Sequence, residues 1–135
     1  MRIALEEAKK GDFPFGAVIV REGKAVATGR NSGIRQNDPT AHGEMVAIRA
    51  FCAAHPAAEL KGATIYTTGE PCPMCMAAIV WSGFTRVVYA ASIEQLATRI
   101  GQIMLPSKRV ADAAPFETVE IAGGVLAEEA MALFK

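Results

Sequence analysis

Two short segments combine residue types that can hold a metal and move a proton: Thr40-Ala41-His42-Gly43-Glu44 and Glu70-Pro71-Cys72-Pro73-Met74-Cys75. Histidine and cysteine both ligate zinc, and the spacing of Cys72 and Cys75 puts both sulfurs on one side of a first helical turn. A helix N-terminus favours negative charge, so both thiols should deprotonate readily there. Pro73 suits the first position of such a helix, where its missing N–H costs nothing. His42, at the expected start of another helix, offers a third ligand. Three protein ligands leave the fourth tetrahedral position open to water, which marks a catalytic zinc (Zn2+) rather than a closed structural one. Cys52 cannot complete the set, because it falls about 15 Å further along the same expected helix; it reads as a small buried hydrophobe. His55 lies further still.

Glu44 is the fourth member. Residues two apart on a regular helix point about 200° apart, so His42 and Glu44 would diverge in mid-helix. In a first turn, a pocket beyond the helix end can receive both. A carboxylate beside an activated water can take its proton and pass it to a substrate. Singly, each feature has a plainer use. A histidine at a helix start serves as a surface or capping residue, a lone Cys-x-x-Cys as a redox pair or structural half-site, and Glu44 as a partner of the helix dipole. Taken together they favour the metal.

The elements that must position these residues follow from patterning. Residues 1–9 read as a helix stopped by Gly11, and 17–20 as a strongly apolar strand. A turn at 21–24 and a return strand over 25–29 make a hairpin. After a polar loop to Pro39, Thr40 can cap a helix over 41–54 with Met45, Ile48 and Cys52 at helical spacing. A third strand is expected at 63–67, a helix at 73–82 ended by Gly83, and a fourth strand at 86–90. A short helix and a loop fill 92–115, followed by a strand at 117–121 and a terminal helix at 125–134. A hairpin followed by alternating helices and strands implies an α/β fold: one mixed sheet with helices on its faces.

The chain has 135 residues, enough for one domain (1–135) and too few for two cores. Half of them are hydrophobic and a fifth charged, which excludes a disordered linker. Fourteen basic residues balance fourteen acidic ones, so no net charge draws the chain to nucleic acid. Three cysteines make no complete disulfide set, no apolar run reaches membrane-spanning length, and the first residues lack a signal peptide's apolar core. A reduced cytoplasmic setting without membrane contact is expected. The short first helix leaves open a start upstream of Met1.

His-x-Glu followed by Pro-Cys-x-x-Cys is the pattern of zinc deaminases, and here the chain resembles the cytidine deaminase superfamily. Pro14-Phe15-Gly16-Ala17-Val18, Gly29-Arg30-Asn31, Asn37-Asp38-Pro39-Thr40 and 65–72 resemble the branch that holds bacterial guanine deaminases and tRNA adenosine deaminases. Relatives more often carry Ala where this chain has Gly43. The resemblance implies a three-layer sandwich around an approximately five-stranded mixed sheet. It also implies a hydrolytic deaminase in which zinc on His42, Cys72 and Cys75 lowers the pKa of water while Glu44 shuttles protons. By the same analogy Asn31 hydrogen-bonds the substrate, backbone near Gly43 faces its edge, and Phe15 and Trp81 wall the base; core packing is the plainer use of those two aromatics. A homodimer is implied as well.

Trp81 resembles guanine deaminases, and the C-terminus lacks the basic tail of many tRNA-acting relatives. With the neutral charge, this favours a free nucleobase or nucleoside, guanine-like, as substrate. The alternative is adenosine in a tRNA anticodon loop. Guanine deaminases of this branch use a second acid after the fourth strand, and 99–103 here contain none. Glu94 or Asp112 could substitute, or the substrate could be cytosine or another aminated heterocycle.

Overall fold

A computed structural model describes all residues, 1–135. Strands β1 (Gly16–Arg21) and β2 (Lys24–Arg30) form the expected hairpin, turned by Glu22 and Gly23, both at positive φ. β1 also pairs antiparallel with β3 (Thr64–Gly69). β3 runs parallel to β4 (Arg86–Ala91), and β4 parallel to β5 (Glu120–Ala122), giving the order β2-β1-β3-β4-β5. The mixed five-stranded sheet is therefore as the patterning implies.

Helices cover both faces. On one lie α2 (Gly43–Ala54) and α3 (Pro73–Ser82), whose Ala47, Phe51, Met76 and Ile79 pack against Ala17, Ile19, Ile65 and Val87 of the strands. On the other, α1 (Arg2–Lys9), α4 (Ile93–Leu96) and α6 (Ala127–Met131) enclose a smaller cluster of Leu5, Ala90, Ala91, Leu96 and Ala130. Being buried on both faces explains why β1 and β4 read as nearly continuous apolar runs.

The apolar stripe of α2 differs from expectation. Glu44, Ala47, Ile48 and Phe51 are buried, Met45 is half-buried and Cys52 is exposed, so Cys52 is not the buried hydrophobe expected. The cause is close approach to the sheet. A Cβ added to Gly29 of β2 would stand 2.1 Å from the Gly43 carbonyl oxygen and 2.5 Å from the Ala47 nitrogen. The helix thus turns its small residues, 43 and 47, toward β2, and this rotation carries Cys52 outward.

Thr40 does not cap α2. Its N–H and hydroxyl both donate to Oδ1 of Asp38, at 2.9 and 2.7 Å, and the N-cap is His42 in extended conformation. Beyond β4 the patterning left out α5 (Ser107–Ala113), which packs beside α3. β5 and α6 are shorter than expected. No helix is long and apolar enough to cross a membrane.

Candidate active site

The N-termini of α2 and α3 meet at the C-terminal end of β3, beside its parallel neighbour β4, the edge where α/β sheets form ligand crevices. The chain leaves β3 at Gly69, turns through Glu70 and Pro71, and enters α3 at its N-cap, Cys72. Pro73 occupies the first turn as expected, and Gly83 ends the helix in the left-handed region at φ 85°. One turn inside lies the buried Cys75. His42 reaches this pair from the start of α2, with Nδ1 3.6 Å from Sγ of Cys72 and 3.5 Å from Sγ of Cys75.

All three donor atoms lie within 4.8 Å of one another. A tetrahedral zinc with ordinary Zn–N and Zn–S bonds needs N···S separations of about 3.6 Å, so the residues present fit the ion. No further histidine, cysteine or carboxylate belongs to this cluster, so three protein donors are available to an ion.

The electrostatics suit a cation. Hydrogen bonding from Cys75, joined by His42, pulls the Cys72 thiol down to about 4. The same contact with Cys72, reinforced by burial, pushes Cys75 up. His42 is raised by its contact with Cys72. Without an added positive charge the pocket thus tolerates one thiolate, and a divalent ion would let both sulfurs ionise.

Glu44 is 7% exposed, and burial pushes its carboxyl up to about 7. It shares with His42 a cleft of about 340 Å³. The 200° divergence does not arise, because His42 stands just outside the helix with φ −67° and ψ 157°.

Asn31, Phe15 and Cys72 line the same cleft. Asn31 is buried directly after β2, and its Oδ1 accepts the Gly33 N–H at 3.2 Å, which leaves the amide NH2 as donor. Phe15 stands edge-on to Phe134 at 5.5 Å and presses on Gly69. Two sequence candidates are placed elsewhere. Gly43 does not line the cleft, and a Cβ added to it would stand 3.2 Å from the Gly16 Cα and 3.3 Å from the Gly29 carbonyl oxygen. Trp81 is 78% exposed at the far end of α3, against Phe116 with ring centroids 5.2 Å apart, and does not reach the cleft of its own chain. Six residues beyond Cys75, it is about 9 Å further along the helix and turned well away.

Neither Glu94 nor Asp112 lines the cleft: Glu94 is exposed on α4, and Asp112 pairs with Lys108 at 2.6 Å on α5. The second carboxylate at the cleft is Glu70, which the patterning assigned to a tight turn. Ile100, Gly101 and Gln102 complete the wall, joined by Phe13, Gly33 and Pro39. The one signal for Glu70 was a carboxylate sitting two residues before a ligand.

Comparison with known proteins adds the family. A guanine deaminase of Bacillus subtilis (strain 168) is 50% identical over 78 residues, 58% of this chain and 50% of that protein. A tRNA-specific adenosine deaminase of Haemophilus influenzae (strain ATCC 51907 / DSM 11121 / KW20 / Rd) is 39% identical over 134 residues, 96% of this chain and 75% of that one. Among solved structures, one from work on A-to-I editing by tRNA:A34 deaminases superposes with a TM-score of 0.84 at 32% identity, covering 98% of this chain and 96% of that chain. The chain spans about half to two thirds of the length of the first curated relatives it matches. The profile of the cytidine and deoxycytidylate deaminase zinc-binding region matches residues 1–91. Since that match contains all three donors together with Glu44, the chain belongs to the cytidine and deoxycytidylate deaminase family.

Proposed function

We propose that this protein is a zinc-dependent hydrolytic deaminase that releases ammonia from the exocyclic amino group of a free nucleobase or related small heterocycle, guanine-like in shape. The observation that carries the reading is the buried Glu44 sharing one base-sized cleft with His42 and Cys72. Zinc held by His42, Cys72 and Cys75 would supply Lewis-acid activation of water near neutral pH. Glu44 takes a proton from the attacking water and delivers it to a ring nitrogen, then helps protonate the amine as it leaves. The balance is one water consumed and one ammonia released, with C–NH2 becoming C=O. The amide of Asn31 donates to a ring or exocyclic acceptor, and Phe15 supplies an apolar wall against the ring face.

A cleft of about 340 Å³ is at the small end for ligand pockets, suiting one ring system. The zero net charge supplies no general attraction for a polyanion. Trp81 no longer supports the free-base reading, since it lies outside this chain's cleft. A second reading, adenosine in a tRNA anticodon loop, is favoured by the near full-length likeness to the tRNA:A34 deaminase structure. The resemblance also implies a homodimer, which sedimentation would measure.

The deciding experiment is ammonia release by the zinc-loaded protein from guanine, cytosine, adenine, their nucleosides and a tRNA anticodon stem-loop. Turnover of a free base with silence on the stem-loop supports the first reading. Turnover of the stem-loop alone overturns it in favour of the second.

A further inference from the structure

The outer wall of the cleft, Ile100, Gly101 and Gln102, belongs to the stretch between α4 and α5, and neither hydrophobic core includes a residue of 97–106. Within that stretch Gly101, Ile103 and Met104 are exposed, and the Gln102 amide donates only to the neighbouring Gly101 carbonyl at 3.0 Å. Packing does not fix this wall.

The two helices that flank it are tied at their first residues to one carboxylate. Oε1 of Glu70 accepts the N–H of Ile93, the first residue of α4, at 2.9 Å. Oε2 accepts the N–H of Ser107, the first residue of α5, at 2.9 Å and the Ser107 hydroxyl at 2.8 Å. All three residues are buried. The N–H of Glu70 donates to the Ala91 carbonyl at 2.7 Å, which fastens the clamp to the end of β4, and Cys72 follows two residues later. Hydrogen bonds to a charged acceptor are about twice as strong as neutral ones. Removing the acceptor would leave two buried N–H groups unpaired.

We infer that Glu70 is a positioning residue: by holding the starts of α4 and α5, between which 97–106 runs, it keeps Ile100, Gly101 and Gln102 standing as a preformed wall, and so sets how tightly the ring substrate is held. The clamp itself is independent of the proposed reaction; its effect on substrate rests on that reading. A wall held in place before binding spares the ligand the cost of ordering it. A loosened wall therefore weakens binding first, and the damage falls on KM more than on kcat.

The test uses the zinc-loaded full chain and the variants Glu70→Gln and Ser107→Ala. Trypsin cleavage after the exposed Arg99, mapped by mass spectrometry, reads the wall directly. Glu70→Gln should speed that cleavage by about tenfold at unchanged zinc content. On whichever substrate releases ammonia, its KM should rise by about tenfold, well beyond any fall in kcat. Ser107→Ala keeps the backbone bond and should move both readouts the same way by a smaller factor. If Glu70→Gln fails to fold, Ser107→Ala carries the test. Wild-type cleavage rates in the variants, a loosened wall with unchanged KM, or a loss confined to kcat would each overturn the proposal. Should the wild type release no ammonia from any compound, the deaminase reading fails, and the trypsin arm alone decides the clamp.

Discussion

His42 and Glu44 open onto the same cleft although only Gly43 separates them, because His42 is the extended N-cap of α2 and Glu44 lies within its first turn. The candidate metal donor and the proposed proton carrier thus come from three consecutive residues, placed by the entry of one helix. Moving the helix start by a single residue would put both inside the regular helix and turn them apart.

Glu44→Gln keeps the size of the side chain and removes its ability to accept a proton. Zinc content should match wild type, while ammonia release drops by about 10²–10⁴-fold, the range for a lost general acid–base. Metal analysis alongside kinetics checks it. A variant that retains zinc and turns over near the wild-type rate would sink the assignment of Glu44.

Cys75→Ala leaves two donors where three stood. Zinc affinity should fall by more than the roughly 10–100-fold seen when only the groups orienting metal ligands are changed. In the wild type, a chelator should lower the melting temperature and added zinc restore it, by mass action on the folded state. Equal zinc retention by Cys75→Ala in competition with a coloured chelator would rule the cluster out as the binding site.

The metal-free protein offers a pH test. Glu44 is held near 7 against an ordinary 4.5, so between those values the folded carboxyl keeps a proton the unfolded one has released. Its contribution is therefore whole below about pH 4.5 and lost as pH rises through about 7. Cys72, lowered to about 4 from 9, acts in the opposite sense, with its stabilisation growing as pH rises. The informative quantity is accordingly the difference between variants. Metal-free Glu44→Gln should gain on wild type by on the order of 3 kcal/mol between pH 4.5 and 8. Urea midpoints at several pH values measure it, and a gap that stays constant with pH would contradict the buried carboxyl.

Gly29→Ala probes the approach of α2 to β2. The new methyl would overlap the Gly43 carbonyl and the Ala47 nitrogen, both backbone atoms with no rotamer to escape through. Destabilisation of about 2–4 kcal/mol is expected. Because Gly43 joins His42 to Glu44, activity should fall as well. Gly62→Ala, with nothing within 4 Å but a φ of 82°, gives a control for backbone strain alone.

The sheet was legible because its strands carry the pattern of a two-sided core: Ala17, Val18 and Ile19 are all buried. The donors were legible because His42, Cys72 and Cys75 owe their positions to local helix starts, which patterning located to within a residue or two even though His42 and not Thr40 is the N-cap of α2. Residues fixed by distant partners were not. Glu70 finds Ser107 at a separation of 37 residues, and no periodicity in 99–105 announces that they wall a cleft. The rotation of α2 that exposes Cys52 is set by the absence of a side chain at Gly29, on the preceding strand β2. Trp81 was assigned by resemblance, and the length of α3 alone carries it out of reach.

The stretch 97–106 lies outside both cores. Exchanges at exposed positions away from buried features usually change stability by no more than about 0.5 kcal/mol. Its exposed positions, Gly101, Ile103 and Met104 among them, can therefore vary while His42, Cys72, Cys75 and Glu44 stay in place. On the deaminase reading proposed above, substitutions at the exposed rim positions would retune the cleft with little effect on folding.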